Sequence, residues 1–320
     1  MPRALELAAK LTRVRGLLSA ALGCSTAALA RHQLLCLRTM SVRLLALSLL
    51  CALSTSIAPL AWAQAKNADP GYVPQRGQAG KDVIWIPTPQ GLIDKMLDVA
   101  LVGSGDLVYD LGAGDGIIAI TAAGRYGARA VGIEYNPQMA DFARRKVTEA
   151  GLSDRVRIIT GDIFKEDFSA ATVVTLYLYP DLNMRLRPTI LAMKPGTRVV
   201  SHAFTMGDWE PDETVTDQSA RAFFWVVPAQ VEGEWTLNGL DGGPVKLSFR
   251  QLFQQVGGMA TIQGVSQPLV GVRLRGNELS FKMSMPDRQM VSFTGRVSGK
   301  NISGTLNTPT ANLSVDARRN

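Results

Sequence analysis

Residues 108–116 read Val108-Tyr109-Asp110-Leu111-Gly112-Ala113-Gly114-Asp115-Gly116, and this stretch decides the fold. It continues a short apolar run and precedes the amphipathic segment Ile117–Tyr126, so it reads as a glycine-rich turn between a strand and a helix. Such a turn lets the backbone approach a ligand closely. A dinucleotide fingerprint would need a third glycine at position 117, where isoleucine stands. The acid two residues before the first glycine suits a ligand with an amino group and a positive sulfonium better than a pyrophosphate.

The segments around this turn alternate between strand-like and helix-like patterns over residues 82–230. This alternation predicts an α/β domain with a doubly wound, Rossmann-like parallel sheet. The expected strands are Leu107–Leu111, Ala130–Tyr135, Val156–Thr160, Thr172–Leu178 and Thr197–Ala203. The expected helices are Pro89–Val102, Ile117–Tyr126, Pro137–Ala150 and Leu182–Met193.

Residues 231–320 show a different pattern, with about eight short strand-like runs separated by Gly-, Asn- and Asp-containing turns. Even spacing of this kind predicts a small all-β domain, either a barrel or a sandwich. Residues 66–81, before the first domain, are polar and contain Gly and Pro, which is typical of a flexible linker.

Two further acids follow strand-like runs, Glu134 after Val131-Gly132-Ile133 and Asp162 after Thr160-Gly161. With the glycine turn they resemble the cofactor-binding motifs of the class I, Rossmann-like, seven-strand S-adenosylmethionine-dependent methyltransferases. The resemblance implies that Glu134 binds the ribose hydroxyls. It also implies that Asp162 bonds the adenine amino group, while Ile163 packs on the ring.

The resemblance is narrower over roughly residues 82–228, where the sequence looks like the small non-SET protein-lysine methyltransferases and their bacterial relatives. The segments that carry it are Trp85-Ile86-Pro87-Thr88-Pro89, Met96-Leu97, the glycine turn, 173–180 and 195–202. It implies S-adenosyl-L-methionine as cofactor, with contacts from Thr88, Asp110, Gly112, Ala113, Gly114, Asp115, Glu134, Asp162 and Ile163.

The expected activity is therefore methyl transfer, with a protein lysine amine as a possible acceptor. Trp85, Tyr177, Tyr179 and Trp209 are candidates for an aromatic acceptor channel, and each is also compatible with core packing. His202, the single histidine of residues 66–320, is a candidate base or a structural residue, so no catalytic base is named. No metal is expected.

Two other functions stay open. One is an exported, non-catalytic binding or scaffolding protein on a methyltransferase fold. The other is a nicotinamide-dependent oxidoreductase, which Ile117 in place of glycine disfavours. The segment Leu178-Tyr179-Pro180 differs from the Asn/Asp-Pro-Pro-aromatic motif of many amine and base methyltransferases, and this argues mildly against nucleobase amino groups.

The charge and the cysteines are concentrated in the first 65 residues. The 320-residue chain has 34 Lys and Arg and 27 Asp and Glu; seven of the bases and one acid fall in residues 1–65, leaving 27 bases and 26 acids in 66–320. The main body therefore lacks the basic footprint of a nucleic-acid-binding protein. Its lack of cysteine excludes a thiol nucleophile and a thiolate metal site.

The beginning of the chain resembles a leader. Residues 40–65 carry Arg43, an apolar stretch and a small-x-small site near Ala63, as secretory signal peptides do. We expect an exported, periplasmic protein with no stable membrane span after cleavage. An uncleaved anchor is the alternative. Residues 1–39 read as a mispredicted start or a mitochondrial-type presequence.

Overall fold

The computed structural model describes residues 71–320, which belong to one compact unit, Asp69–Asn320. The leader, the signal peptide and residues 66–70 of the expected linker lie outside the described residues. The helices of the described part are α1 (Gln90–Val99), α2 (Ile117–Tyr126), α3 (Pro137–Glu149) and α4 (Pro180–Leu191).

The first sheet has seven strands in the order β3-β2-β1-β4-β5-β7-β6. They are β1 (Leu107–Leu111), β2 (Arg129–Glu134), β3 (Val156–Thr160), β4 (Val173–Leu176), β5 (Arg198–His202), β6 (Glu213–Asp217) and β7 (Ala220–Val226). β1 to β5 are parallel, and β7 pairs antiparallel with both β5 and β6. This mixed sheet confirms the predicted Rossmann-like α/β class.

The helices cover the sheet through apolar faces that the sequence spacing creates. In α1, for example, Leu92, Ile93, Met96 and Leu97 are fully buried because residues three to five apart share one side of a helix. The sheet order then places the carboxyl ends of β1, β2 and β4 side by side. In a doubly wound sheet this edge is where ligands bind.

The second sheet has nine antiparallel strands and confirms the predicted all-β architecture. They are β8 (Gly233–Asn238), β9 (Val245–Leu252), β10 (Gln255–Ile262), β11 (Val265–Pro268), β12 (Val270–Arg275), β13 (Glu278–Ser284), β14 (Met290–Ser298), β15 (Asn301–Asn307) and β16 (Asn312–Arg319). Strands that follow one another in sequence pair, except that β11 and β12 form the two ends of the sheet and β16 returns to pair with β8. The sheet is a nearly closed barrel, since the Gln267 side chain of β11 bonds the Ser284 carbonyl of β13.

One expected strand is interrupted in the structure. The apolar run 245–255 reads as a single strand, but the chain reverses at Phe253, whose φ is 53°. β9 and β10 therefore form a hairpin around Phe253 and Gln254. The Phe253 ring packs on Trp209 of the first domain, with ring centroids 6.0 Å apart. This contact stabilises the bend.

Candidate active site

The glycine turn connects β1 to α2 and is hydrogen-bonded to β2, since the amides of Gly112 and Ala113 donate to the Ile133 carbonyl. Gly112, Gly114 and Gly116 have φ values of 81°, 55° and 78°, in the left-handed region that side chains with a Cβ avoid. A Cβ at Gly114 would also lie 2.5 Å from the Trp85 indole nitrogen. The sequence pattern of glycines therefore follows from both backbone conformation and close packing.

Glu134, at the end of β2, supports this turn through both of its carboxylate oxygens. Oε2 accepts a hydrogen bond from the Gly114 amide at 2.9 Å, and Oε1 accepts one from the Asn136 amide at 2.8 Å. Burial raises the pKa of the Glu134 carboxyl, while these amide bonds act in the opposite direction. Its carboxylate thus lies at the mouth of the turn, where the resemblance places a ribose.

Asp110, at the end of β1, is the most deeply buried acid of the site. It is 2% exposed, and the Thr175 hydroxyl of neighbouring β4 donates to it at 2.7 Å. Burial raises the pKa of Asp110 to about 7, and the nearby Asp115 and Glu134 add to the shift. A positive group brought beside it would favour the charged form.

Asp162 lies after β3 and faces the segment that precedes α1. Its Oδ1 accepts from the Phe164 amide at 3.0 Å, and its Oδ2 pairs with the Lys81 ammonium at 3.0 Å. These two bonds hold the pKa of Asp162 below its usual value. The same ammonium lies 4.5 Å from the centre of the Tyr135 ring.

Residues 78–88, which we call the strap, run over this edge of the sheet. The Trp85 carbonyl accepts a hydrogen bond from the amide of Gly77, just before the strap, and the Trp85 amide donates to the Gln78 carbonyl. The Thr88 hydroxyl lies within hydrogen-bond distance of His202 at the end of β5. Upstream of the strap, Tyr72 packs edge-on against Phe142 of α3. The segment from residue 72 onward thus makes specific contacts, in contrast to the flexible linker that its composition predicts.

The strap and the strand ends enclose a cavity of about 220 Å³. Every residue that the resemblance assigns to the cofactor lines it: Thr88, Asp110, Gly112, Ala113, Gly114, Asp115, Glu134, Asp162 and Ile163. The structure therefore gathers the expected set at one site. Their contact with the cofactor stays a prediction.

Within this set, Asp115 and Thr88 have side-chain partners in the protein. The Asp115 carboxylate pairs with Lys146 of α3 at 2.6 Å. The Thr88 hydroxyl lies 3.0 Å from His202 Nδ1. We infer that these two residues shape the cavity through the elements that they connect.

The opposite end of the cavity is aromatic. Tyr177 and Tyr179 line it and Phe204 joins them, whereas Trp85 lines the cavity beside the glycine turn, against Gly114. Phe204 carries no motif in the sequence, and its position depends on a bend after β5 that only the structure shows. His202 lies behind these rings, stacked on Tyr177 with a centroid distance of 3.7 Å.

The geometry favours a structural role for His202. It is 5% exposed, and burial lowers the pKa of its imidazole to about 4, so it is neutral at physiological pH. Its Nδ1 faces the Thr88 hydroxyl and its ring faces Tyr177. The side chain therefore joins the strap to the sheet, and we assign it no proton-transfer step.

Two other candidates lie away from the cavity. Trp209 is fully buried between Trp225 and Phe253, and its indole nitrogen donates to Gln254 at 2.9 Å. Of the two alternatives for Trp209, the structure therefore supports core packing and not the acceptor channel, because the ring joins the two sheets. In the acidic segment that follows β5, Asp208 pairs with Arg187.

Residues 71–320 contain no group of three or more His, Cys, Asp or Glu placed to hold a metal ion. None of the helices in this part of the chain is long and apolar enough to cross a membrane.

The sheet order, the glycine turn and the three acids at the strand ends are those of a class I, S-adenosylmethionine-dependent methyltransferase. Comparison with known proteins agrees with this class. The family model described as the ANTKMT methyltransferase domain matches residues 110–213.

Similar proteins narrow the family. The chain is 42% identical over 135 residues to a protein-lysine N-methyltransferase of Saccharolobus islandicus (strain REY15A), covering 42% of this chain and 84% of that protein. It is 34% identical over 122 residues to the adenine nucleotide translocase lysine N-methyltransferase of Mus musculus, covering 38% of this chain and 53% of that protein. The chain thus spans about half of the mouse protein.

A solved structure is also similar to about half of this chain. The crystal structure of an RNA methyltransferase from Salinibacter ruber, in complex with S-adenosyl-L-homocysteine, is 48% identical and covers 46% of this chain and 96% of that one, with a TM-score of 0.45. On the sequence comparisons, the chain belongs to the class I S-adenosylmethionine-dependent methyltransferases and is related to the non-SET protein-lysine methyltransferases. The predicted enzyme class and cofactor are confirmed.

Proposed function

We propose that this methyltransferase acts on the side-chain amine of a protein lysine. The observation that carries the proposal is the composition of the cavity, which has the acidic and glycine-rich strand ends on one side and the aromatic wall of Tyr177, Tyr179 and Phe204 on the other. The Saccharolobus and mouse relatives, both named for lysine methylation, support the same acceptor.

The cavity suits the chemistry of such a transfer. S-adenosylmethionine, when bound, supplies an activated methyl group. A lysine amine must be neutral to accept it, and apolar surroundings such as Leu178 and Phe204 favour the neutral form. The strap covers the cavity, and enclosure of this kind lets a methyltransferase exclude water and align the reacting groups.

Methylation of an extract tests the acceptor. The purified chain is incubated with proteins and RNA from the same cells and with methyl-labelled cofactor below saturation, and the Glu134→Ala variant serves as a control with weakened cofactor binding. Label recovered as methyllysine after acid hydrolysis supports the proposal. Label found only in RNA, the substrate class named for the Salinibacter relative, refutes it. Cofactor binding without any labelled product favours the non-catalytic alternative.

We also propose that the protein is exported and acts in the periplasm. Support comes from the signal-peptide composition of residues 40–65 and from the restriction of all three cysteines to residues 1–65. Cell fractionation with intact-mass analysis tests this. A periplasmic chain beginning near Gln64 or Lys66 is expected, and a cytoplasmic chain that retains residues 1–63 would contradict it.

A further inference from the structure

The second domain, residues 231–320, contacts the first through the tip of the β9–β10 hairpin. The Phe253 ring stacks on Trp209, at a centroid distance of 6.0 Å and an interplanar angle of 24°. The Gln254 side chain makes two hydrogen bonds to the same segment. Its Oε1 accepts from the Trp209 indole nitrogen at 2.9 Å, and its Nε2 donates to the Glu210 carbonyl at 2.7 Å. We call residues 203–210, which follow β5 and include Phe204 of the cavity wall, the wall segment.

The wall segment is held at both of its ends. On the side of the first domain, Asn183 and Arg187 of α4 donate to the carbonyls of Phe204 and Met206, at 3.4 and 2.9 Å. On the other side, the hairpin tip holds Trp209, which is fully buried. The two ends are connected, because the Trp209 amide donates to the Met206 carbonyl at 3.4 Å. A displacement of Trp209 therefore acts on the main chain two residues from Phe204.

The hairpin tip adopts a strained conformation to make these contacts. Phe253 has a φ of 53°, in the left-handed region that a glycine would adopt without strain, but a glycine would offer no ring to Trp209. Elsewhere in the interface the two domains pack closely. A Cβ at Gly276, in the turn between β12 and β13, would lie 2.9 Å from the Cα of Gly196, which stands just before β5. The second domain is thus fixed against the strand from whose end the wall segment begins.

We propose that the hairpin tip of the second domain positions the wall segment for methyl transfer, with Gln254 as the positioning residue. The family model ends at residue 213, so the hairpin lies beyond the part of the chain that it matches. Methyl transfer needs the acceptor atom in line with the S–C bond, and a misplacement of about 1 Å can cost about a hundredfold in rate. Gln254 does not line the cavity and acts through Trp209 and Glu210. The inference rests on methyl transfer and holds for any acceptor.

The test compares Gln254→Ala with Gln289→Ala, a matched control in the exposed turn between β13 and β14. Each full chain is incubated with heated cell extract, as the source of acceptor, and with increasing methyl-labelled S-adenosylmethionine. The rate of label incorporation is divided by the number of sites counted in a titration with S-adenosylhomocysteine, so that unfolded protein does not contribute. We expect Gln254→Ala to lower the maximal rate per site about ten- to hundredfold. The half-saturating cofactor concentration should stay within about twofold, because bonds within the first domain hold Glu134 and the glycine turn. Gln289→Ala should change neither value.

Amide hydrogen exchange in the complex with S-adenosylhomocysteine gives a second readout that needs no turnover. Gln254→Ala should speed exchange in the wall segment about tenfold or more and leave residues 112–116 unchanged. An unchanged maximal rate per site, or unchanged exchange in the wall segment, would overturn the proposal. Should Gln254→Ala not fold, Phe253→Asn takes its place, because asparagine tolerates a φ of 53° while the ring is lost. Label recovered only in RNA, with the effect of Gln254→Ala intact, would reject the lysine acceptor and leave the role of the hairpin standing.

Discussion

Asp110 should make cofactor binding depend on pH. Its carboxyl is 2% exposed, has a single side-chain donor in Thr175 at 2.7 Å, and has a pKa of about 7 because of burial. S-adenosylmethionine carries a sulfonium and an ammonium group, and a positive charge beside Asp110 favours its ionised form. Below pH 7 binding must therefore displace a proton. Affinity should rise about tenfold between pH 6 and pH 8, since a group with a pKa of about 7 is about one-tenth ionised at pH 6 and about nine-tenths ionised at pH 8.

Isothermal titration at pH 6, 7 and 8, each in two buffers of different ionisation enthalpy, measures the released proton directly. We expect about 0.9 protons released per cofactor at pH 6 and about 0.1 at pH 8, as a group with a pKa near 7 requires. In Asp110→Asn the slope should disappear. Absence of proton release at pH 6, or the same slope in the variant, would refute the reasoning.

The Asp110 carboxyl should also make the free energy of unfolding depend on pH. Cofactor affinity rises with pH, whereas the stability of the cofactor-free chain should fall. Because the pKa of Asp110 is higher in the folded chain than its ordinary 3.8, the folded state holds the proton more tightly. Its contribution is complete below pH 4 and is lost as the pH rises to about 7, with a maximum on the order of 4 kcal/mol. Urea unfolding of the cofactor-free chain at pH 5 and pH 7.5 should show this loss, and Asp110→Asn should reduce it.

Three further substitutions test other parts of the structure. Glu134→Ala should weaken S-adenosylmethionine binding by about 1.5–3 kcal/mol through loss of charge-assisted bonds, whereas the exposed Glu149→Ala should not; equal affinities in calorimetry would contradict the ribose assignment. Trp209→Ala should lower the free energy of unfolding by about 3–5 kcal/mol, and a loss under 1 kcal/mol in urea would show that the ring is not a structural link. Ala203→Gly should raise the melting temperature slightly, because glycine relieves about 1–2 kcal/mol of strain at a φ of 67° and loses about 0.4–1 kcal/mol through the larger entropy of the unfolded chain; a lower melting temperature would argue against strain there.

The local parts of the site could be predicted from the sequence. The turn at Gly112 and Gly114, the acids that end β1 and β2 and the acid after β3 are set by residues close together in the chain, so spacing alone locates them. Parallel strands then bring their carboxyl ends together whatever the side chains between them. The choice of S-adenosylmethionine came from resemblance to a family and not from spacing.

The parts that sequence patterns missed depend on distant contacts. Lys81 meets Asp162 across 81 positions, and the polar composition of residues 66–81 gives no sign that this lysine will reach the cavity. The resemblance implies a fold over the cofactor only for the Pro87-Thr88-Pro89 segment. Phe204 reaches the site through the bend at Ala203, which Asn183 supports from another helix. The sequence leaves two roles open for Trp209 for the same reason, because its partner Phe253 belongs to the second sheet.

Because β16 pairs with β8, the second sheet depends on a strand that is synthesised after all its other strands. A last strand commonly lies at a sheet edge, where its loss exposes one neighbour, but β16 lies between β15 and β8. A chain that ends before Asn312 would leave both neighbours unpaired in the middle of the sheet. Two exposed strand edges invite pairing with other chains. Chains that lack β16 should therefore aggregate, because the second sheet needs this strand to join β15 to β8.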